Sequence, residues 1–252
     1  QRCVGQLFNM SDRDTVWALQ QYEAIRSVLP VAHMPQKSDH AENLGEIADL
    51  FDAFLLDAFG VLNVGDTAIA GAAQRAQMLK DMGKDVLVLT NGACFPAEQA
   101  LKKFLSFGIP LEIADIVSSR AALAAAIPPL PDSGFWGVMS TQNSHVETLG
   151  IPWKRLENDM SIYDAASGFI LLSTLEWTEA QQMLLQESLA KVSRPILVGN
   201  PDIVAPRGRY LSLEPGYYGH KLGSELKIQA KFFGKPFTNI YDLAFSRLPN
   251  ID

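Results

Sequence analysis

The sequence predicts an α/β protein: a doubly wound parallel sheet with a second α/β segment inserted into it. Three observations lead there. Short unbroken apolar runs at Phe54–Leu56 (FLL) and Val86–Leu89 (VLVL) read as strands buried on both faces, because neither alternates with polar residues. Segments with helical apolar spacing follow both runs, and strand–helix alternation is the pattern of parallel sheets. A Pro- and Gly-rich tract, Pro128–Gly134 (PPLPDSG), then separates this series from a second set of strands and helices.

Taken in order, Asp14–Leu29 has helical spacing at Val16, Leu19, Tyr22, Ile25 and Leu29, and is expected as a peripheral helix. Pro30–His40 reads as a loop, and Glu46–Leu50 as a short helix leading to the first strand. After Asp57, residues 63–70 read as a loop. Gly71–Met82 is a helix closed by Gly83, a usual residue past a helix C-terminus. The second strand ends at Thr90-Asn91-Gly92. Pro96–Phe107 is a helix stopped by Gly108. Ile113–Val117 is a short third strand leading to Ser118 and Ser119, and Arg120–Ile127 an Ala-rich helix.

Beyond the Pro-rich tract, strands are expected at Phe135–Met139, Gly168–Leu172 and Ile196–Val198, and helices at Ser144–Leu149 and Thr178–Ser193. The last of these strands runs into Gly199-Asn200-Pro201-Asp202. Gly219–Phe233 reads as a helix returning to the first sheet, followed by Gly234-Lys235-Pro236 and a final helix over Thr238–Leu248.

Composition narrows the function classes. A length of 252 residues suits one large domain or a core with an insertion, and 48% hydrophobic with 19% charged residues is ordinary for a soluble globular protein. A net charge of -7 with scattered basic residues argues against nucleic acid as the main partner. No apolar run approaches the roughly 18 residues of a membrane span, and no leader pattern opens the chain. Cys3 and Cys94 have no CxxC spacing and no histidine cluster, so a reduced cytoplasmic protein is expected. The sequence opens on Gln1 without a methionine and stops in a loop-like PNID at Asp252. Both ends are expected to be trimmed relative to the natural protein.

Three pieces could carry chemistry. Asp57 ends the first strand, and ligands of parallel α/β sheets bind outside the carboxyl ends of strands. It could equally cap the turn that follows. Thr90-Asn91-Gly92 ends the second strand, where a hydroxyl and backbone N–H groups would suit phosphoryl oxygens; a plain strand-to-helix turn is the other reading. Lys235 lies in a Gly-Lys-Pro turn and is either a charge partner or a surface lysine. A carboxylate nucleophile needs a phosphoryl or carbon electrophile, and a lysine with N–H donors would stabilise its oxygens. Cys94 is expected to be a small buried residue. His33, His40, His145 and His220 are dispersed and read as surface or structural, and Gly219–Gly223 lacks P-loop spacing. Trp136, Trp153 and Trp177 read as core or rim of the inserted lobe.

With those residues in place, the chain resembles the haloacid dehalogenase-like (HAD) hydrolase superfamily. DAFGVL at 57–62, LTNG at 89–92 and GKP at 234–236 look like its first three motifs. The insertion between the second and third looks like the cap of the NagD-like sugar and nucleotide phosphatases of subfamily IIA. VGNPD at 198–202 is similar to a TNPD segment that joins cap and core there. The resemblance covers about residues 48 to 250. It implies a Rossmann-like core over 45–129 and 213–252, an α/β cap over 130–212, and an N-terminal helical arm over 1–44.

The resemblance also implies roles. Asp57 would be the nucleophile, forming an aspartyl-phosphate, and a Mg²⁺ ligand together with the backbone carbonyl of Phe59. Thr90 would hold the phosphoryl group, helped by the Asn91 and Gly92 backbone. Lys235 would offset charge, and Asp202 would contact substrate near the cap hinge. The implied activity is Mg²⁺-dependent hydrolysis of a small phosphorylated metabolite, a sugar or nucleotide phosphate, and the implied assembly is a homodimer through the cap.

Two departures stand out. Phe59 occupies the position where phosphatases of this superfamily carry a second aspartate as general acid and base. The acidic fourth motif, which completes the Mg²⁺ site, is expected beyond Asp252. DAFGVL also looks like the motif of the 2-haloacid dehalogenases, although residues 63–89 are too few for their helical cap. A non-catalytic binding protein that keeps the fold is the third reading, motivated by Phe59.

Overall fold

The computed structural model describes residues 13–131, 133–207 and 210–249. Cys3 and Asp252 therefore lie outside the described residues. Among the described residues, no helix is long and apolar enough to cross a membrane.

Most elements form where their local chemistry directs. Helix α1 (Thr15–Ala24) starts at Asp14, whose carboxylate accepts from Trp17 N at 2.8 Å, and breaks before the 3₁₀ turn Arg26–Val28. Helix α2 (Leu44–Ile47) precedes strand β1 (Ala53–Asp57). Residues 63–70, expected as loop, hold a small antiparallel hairpin, β2 (Asn63–Val64) and β3 (Thr67–Ala68). Helix α3 (Ala72–Asp81), strand β4 (Asp85–Thr90), helix α4 (Ala97–Ser106), strand β5 (Ile116–Ser118) and helix α5 (Ser119–Ala124) follow the expected alternation.

In the inserted segment come β6 (Trp136–Met139), β7 (Trp153–Arg155), α6 (Met160–Ala165), β8 (Gly168–Leu171), α7 (Glu179–Lys191) and β9 (Ile196–Val198). Helix α7 opens with a capping box between Thr178 and Gln181. A hairpin of β10 (Val204–Arg207) and β11 (Tyr210–Leu213) leads to α8 (Pro215–Leu226), β12 (Lys231–Phe232) and α9 (Thr238–Phe245). The helix expected over Gly219–Phe233 thus starts earlier, at a helix-compatible proline, and gives way to a strand at Lys231.

The chain divides into two compact units. One comprises Leu29–Thr90, Ala97–Ser118 and the residues from Lys235 on. Its parallel sheet has the order β1-β4-β5, with Asp57 opposite Leu89 and Thr90 opposite Ser118. Four of the six residues of β4 are buried, as an apolar run inside a parallel sheet should be. Phe54, Leu56, Leu79, Val88, Phe104 and Ile116 form the unit's apolar core.

The other unit comprises the described residues up to Val28, Asn91–Pro96 and Ser119–Gly234. Its five-stranded parallel sheet has the order β12-β9-β8-β6-β7. The chain runs from β6 outward to β7, then crosses back to β8 and continues the other way. The doubly wound reversal is therefore seen in this sheet. Met139, Tyr163, Phe169, Leu185, Val198 and Leu222 pack its core.

This division differs from the expected boundaries. Residues 213–234, expected in the core with 45–129, belong with the inserted segment. The reasons are the pairing of Lys231 and Phe232 with Leu197 and Val198, and the burial of Leu222 of α8 in that segment's core. The expected arm of residues 1–44 is split as well. Tyr22 of α1 accepts from Ile203 N at 3.2 Å and Trp17 lies against Tyr217, so α1 joins the inserted segment, whereas residues 29–44 fall in the other unit.

Candidate active site

In the unit built on β1, β4 and β5, polar side chains meet at the carboxyl ends of the strands. Asp57 is the last residue of β1. Its Oδ1 accepts from Ala58 N at 2.7 Å and from Lys235 Nζ at 2.5 Å. Lys235 Nζ also donates to the carbonyl of Leu89, the residue opposite Asp57, at 2.9 Å. The next residue of β4 is Thr90, half-buried at the strand's end and itself engaged in a polar or electrostatic contact. Lys235 is thus bonded to Asp57 and to Leu89, and Thr90 is the next residue along β4. Sheet geometry sets Asp57 beside the end of β4, because parallel neighbours in register end side by side.

The turn after Asp57 is closed by its own backbone. Leu62 N and Asn63 N donate to Ala58 O at 2.9 and 3.1 Å, and Gly60 N donates to Asn63 O at 2.8 Å. These bonds leave the carbonyl of Phe59 out of the closure. The Phe59 side chain is 38% exposed, so it is no core residue. Both described bonds to Asp57 fall on Oδ1. Among the described residues, no group of three or more His, Cys, Asp or Glu side chains could hold a metal ion.

In the other unit, the loop 91–96 is held by buried polar groups. Asn91 is buried, and its Nδ2 donates to Asp202 Oδ1 at 2.8 Å. Its carbonyl accepts from Ser119 Oγ at 2.8 Å. Asp202 N in turn donates to Asn200 Oδ1 at 3.0 Å, and Asn200 Nδ2 to Glu214 Oε2 at 3.2 Å. Burial pushes the Glu214 carboxyl up, opposed by the Ser212 hydroxyl, which donates to it at 2.7 Å, and by Arg207. Asp202 was expected to touch substrate; here its carboxylate orients the Asn91 amide. Gly92 is exposed in this loop, next to buried Asn91 and Ala93.

Sequence reasoning missed Ser119, Arg120, Asn200 and Glu214. Arg120 is 4% exposed, and its Nη1 donates to Ala93 O at 3.1 Å and to Cys94 O at 3.4 Å. Its Nη2 donates to His145 O at 2.7 Å and to Thr148 Oγ1 at 3.0 Å. The pair Ser118-Ser119 after a short strand was a usable signal, but an arginine in an Ala-rich helix reads as a solvated face. Cys94 is half-buried, with Thr141 and Ser144 hydroxyls each 3.7 Å from its sulfur, close to the small structural residue expected.

Comparison with known proteins agrees with this picture. Residues 54–149 match the family of haloacid dehalogenase-like hydrolases. Phosphoglycolate phosphatase 2 of Arabidopsis thaliana is 32% identical over 85 residues, covering 34% of this chain and 28% of the relative. The chain thus matches only about a quarter of the length of such relatives. A "possible sugar phosphatase" of the HAD superfamily from Cytophaga hutchinsonii has a similar structure. Its TM-score is 0.75 at 22% identity, over 85% of this chain and 79% of the other. Glycerol phosphate phosphatase from Mycobacterium tuberculosis, solved with magnesium, superposes with a TM-score of 0.63 at 18% identity, over 80% of this chain and 59% of the other. At those identities the structural likeness shows the fold. The family match itself is confined to residues 54–149, less than half of the chain, and that segment is what is similar to the haloacid dehalogenase-like hydrolases.

Proposed function

We propose that the chain is a phosphohydrolase for small phosphorylated metabolites, with Asp57 as the nucleophile. One observation carries the reading: the Asp57 carboxylate ends β1 with Lys235 bonded both to it and to the carbonyl of Leu89, immediately before Thr90. With Oδ1 engaged by Ala58 N and Lys235, Oδ2 is the oxygen that attacks phosphorus. The P–O bond to the leaving group breaks as the Asp57–phosphorus bond forms. The leaving oxygen departs as an anion and takes a proton from water. A second water then attacks phosphorus, releasing inorganic phosphate and restoring the carboxylate. Lys235 offsets negative charge on Asp57 and on the transferring group, and the Thr90 hydroxyl holds a phosphoryl oxygen.

Phe59 supplies no proton, so the reading favours esters whose leaving group departs without one. Mg²⁺ fits the donors in the turn, since it binds through one or two carboxylates, retained waters and substrate phosphate oxygens. Asp57 and the Phe59 carbonyl would hold it, and it would add positive charge beside the phosphoryl oxygens. Carbon–halogen hydrolysis is the weaker reading, because only a small hairpin and α3 lie between β1 and β4.

Phosphate release from p-nitrophenyl phosphate and from common sugar and nucleotide monophosphates, with and without Mg²⁺, tests the proposal. Release that disappears in Asp57→Asn is expected. No release by the full-length protein, or release untouched by Asp57→Asn, overturns it. Chloride release from haloacids would favour the dehalogenase reading instead.

A further inference from the structure

We propose that the inserted segment carries a binding site of its own for a small organic amine, in a cavity of about 680 Å³ at the carboxyl ends of β6, β7 and β8. The site is independent of the phosphohydrolase reading. Topology sets its place. The chain leaves β6 toward β7 and then crosses back to β8 on the other side, so β6 and β8 flank the point where the winding reverses. In open parallel sheets, ligands bind in the crevice at that point, outside the carboxyl ends of the strands. Ser140 and Gln142 follow β6, Leu156–Asp159 follow β7 and Glu176–Thr178 follow β8, and all of them line the cavity. They belong to one compact unit, and the volume is that of a small-molecule site.

Ser140 is 9% exposed, and its Oγ has no hydrogen-bond partner among the described residues. Buried hydroxyls are rarely left unpaired, so this one marks a place for a ligand atom. Charge decides the ligand class. The carboxylates of Glu157, Asp159 and Glu176 and the guanidinium of Arg155 leave the lining with a formal charge of -2. Both terminal nitrogens of Arg155 are engaged: Nη1 donates to Glu176 Oε2 at 3.0 Å and Nη2 to Glu157 Oε1 at 2.6 Å. Ser161 N and Oγ donate to Asp159 Oδ1 at 3.0 and 2.7 Å. The described bonds thus leave Glu157 Oε2, Asp159 Oδ2 and Glu176 Oε1 as acceptors. Lys154, whose charge also reaches Asp159, does not line the cavity, and its Nζ lies 4.5 Å from the centroid of the Phe135 ring. An anion would therefore meet carboxylates here, whereas an ammonium group brings a positive charge and three donors, and two such groups balance the lining. Since no group of three or more His, Cys, Asp or Glu side chains could hold a metal ion among the described residues, the cation is an organic one.

The test uses the full chain with 1,4-diaminobutane as the probe and 1,4-butanediol as its neutral counterpart, binding being followed by isothermal titration calorimetry. The diamine is expected to bind, and the diol at least about tenfold more weakly. Glu176→Gln and Asp159→Asn each remove one charge and should each weaken the diamine about threefold. Asparagine still caps α6, so Asp159→Asn decides the matter where Glu176→Gln does not fold. Ser140→Ala leaves the charge intact and should also lose about threefold, which separates a built site from general attraction to an acidic surface. A wild type that binds no diamine overturns the proposal, and so does a diol that binds as tightly. Diamine affinity unchanged in the folded carboxylate variants, or in Ser140→Ala, overturns it too.

Discussion

Lys235 Nζ lies 2.5 Å from Asp57 Oδ1 although 178 positions separate the two residues, and it reaches the carbonyl of Leu89 from the same place. The lysine is thus pinned between a side chain and the end of the neighbouring strand, with a quarter of its own side chain exposed. On the proposed phosphohydrolase reading, a cation held this way would meet negative charge developing on a transferring phosphoryl group. Lys235→Met is expected to lower kcat on p-nitrophenyl phosphate by about 10²–10³-fold, with Lys235→Arg intermediate. Steady-state kinetics check it, and a kcat within threefold of wild type would remove Lys235 from the mechanism.

Phe59 offers a gain-of-function test. The residue is 38% exposed, so replacing it opens no cavity in the core. Phe59→Asp would place a carboxyl two positions after Asp57, able on the proposed reading to protonate a leaving alkoxide. Positioned general acids contribute about 10²–10⁴-fold. Hydrolysis of sugar phosphates, whose leaving groups are poor, should therefore rise by at least tenfold relative to p-nitrophenyl phosphate, whose phenolate needs no proton. Comparing the two substrates in the variant and the wild type reads the ratio directly. An unchanged ratio would mean that another group already moves the proton.

How much of this was readable beforehand follows from what each segment buries. The run at 86–89 is buried throughout and that at 54–56 is buried except for half-buried Leu55, so both patterns are legible, and Asp57 and Thr90 inherit their positions from them. Strand β7 is an edge strand with exposed Lys154, and such a strand carries no apolar run to notice. Helix α8 has a clear apolar face at Leu222, but an amphipathic pattern does not say which sheet the face will meet. That is why α8 was expected with the first sheet, while the compact unit that holds it runs to Gly234. Arg120 and Glu214 were invisible because their partners are backbone carbonyls and side chains distant in sequence.

Gly234 precedes Lys235 and has a tightly defined place. Its φ is +118°, and a Cβ there would lie 2.6 Å from Asn91 Oδ1, 2.8 Å from Ser119 Cβ and 2.9 Å from Pro201 Cδ. Gly60, in the turn after Asp57, has φ +85° but open space around it. Gly234→Ala is therefore expected to cost about 2–4 kcal/mol, combining backbone strain with overpacking. Gly60→Ala should cost only the conformational part, about 1–2 kcal/mol. Urea unfolding of both variants compares them, and equal losses would show that the crowding around Asn91 relaxes freely.

His220 makes stability depend on pH. Its ring stacks on Phe232 at 4.2 Å between centroids, its Nε2 is buried without a hydrogen-bond partner among the described residues, and burial pushes its pKa down from 6.5 to about 4. The unfolded chain binds a proton at this histidine below about pH 6.5, and the native chain does so only below about pH 4. The neutral ring's contribution is complete above pH 6.5 and is lost as pH falls toward 4, amounting to about 3 kcal/mol over that window. Glu214 acts with the opposite sign, because burial raises its pKa and its protonated form suits the folded state. Its share of the stability is present at low pH and fades as pH rises through the raised value. His220→Phe should accordingly flatten the loss of unfolding free energy between pH 6.5 and 4, while Glu214→Gln should steepen it. Urea titrations across that range separate the two groups, and a His220→Phe profile parallel to wild type would show that the ring titrates alike in the folded and unfolded chain.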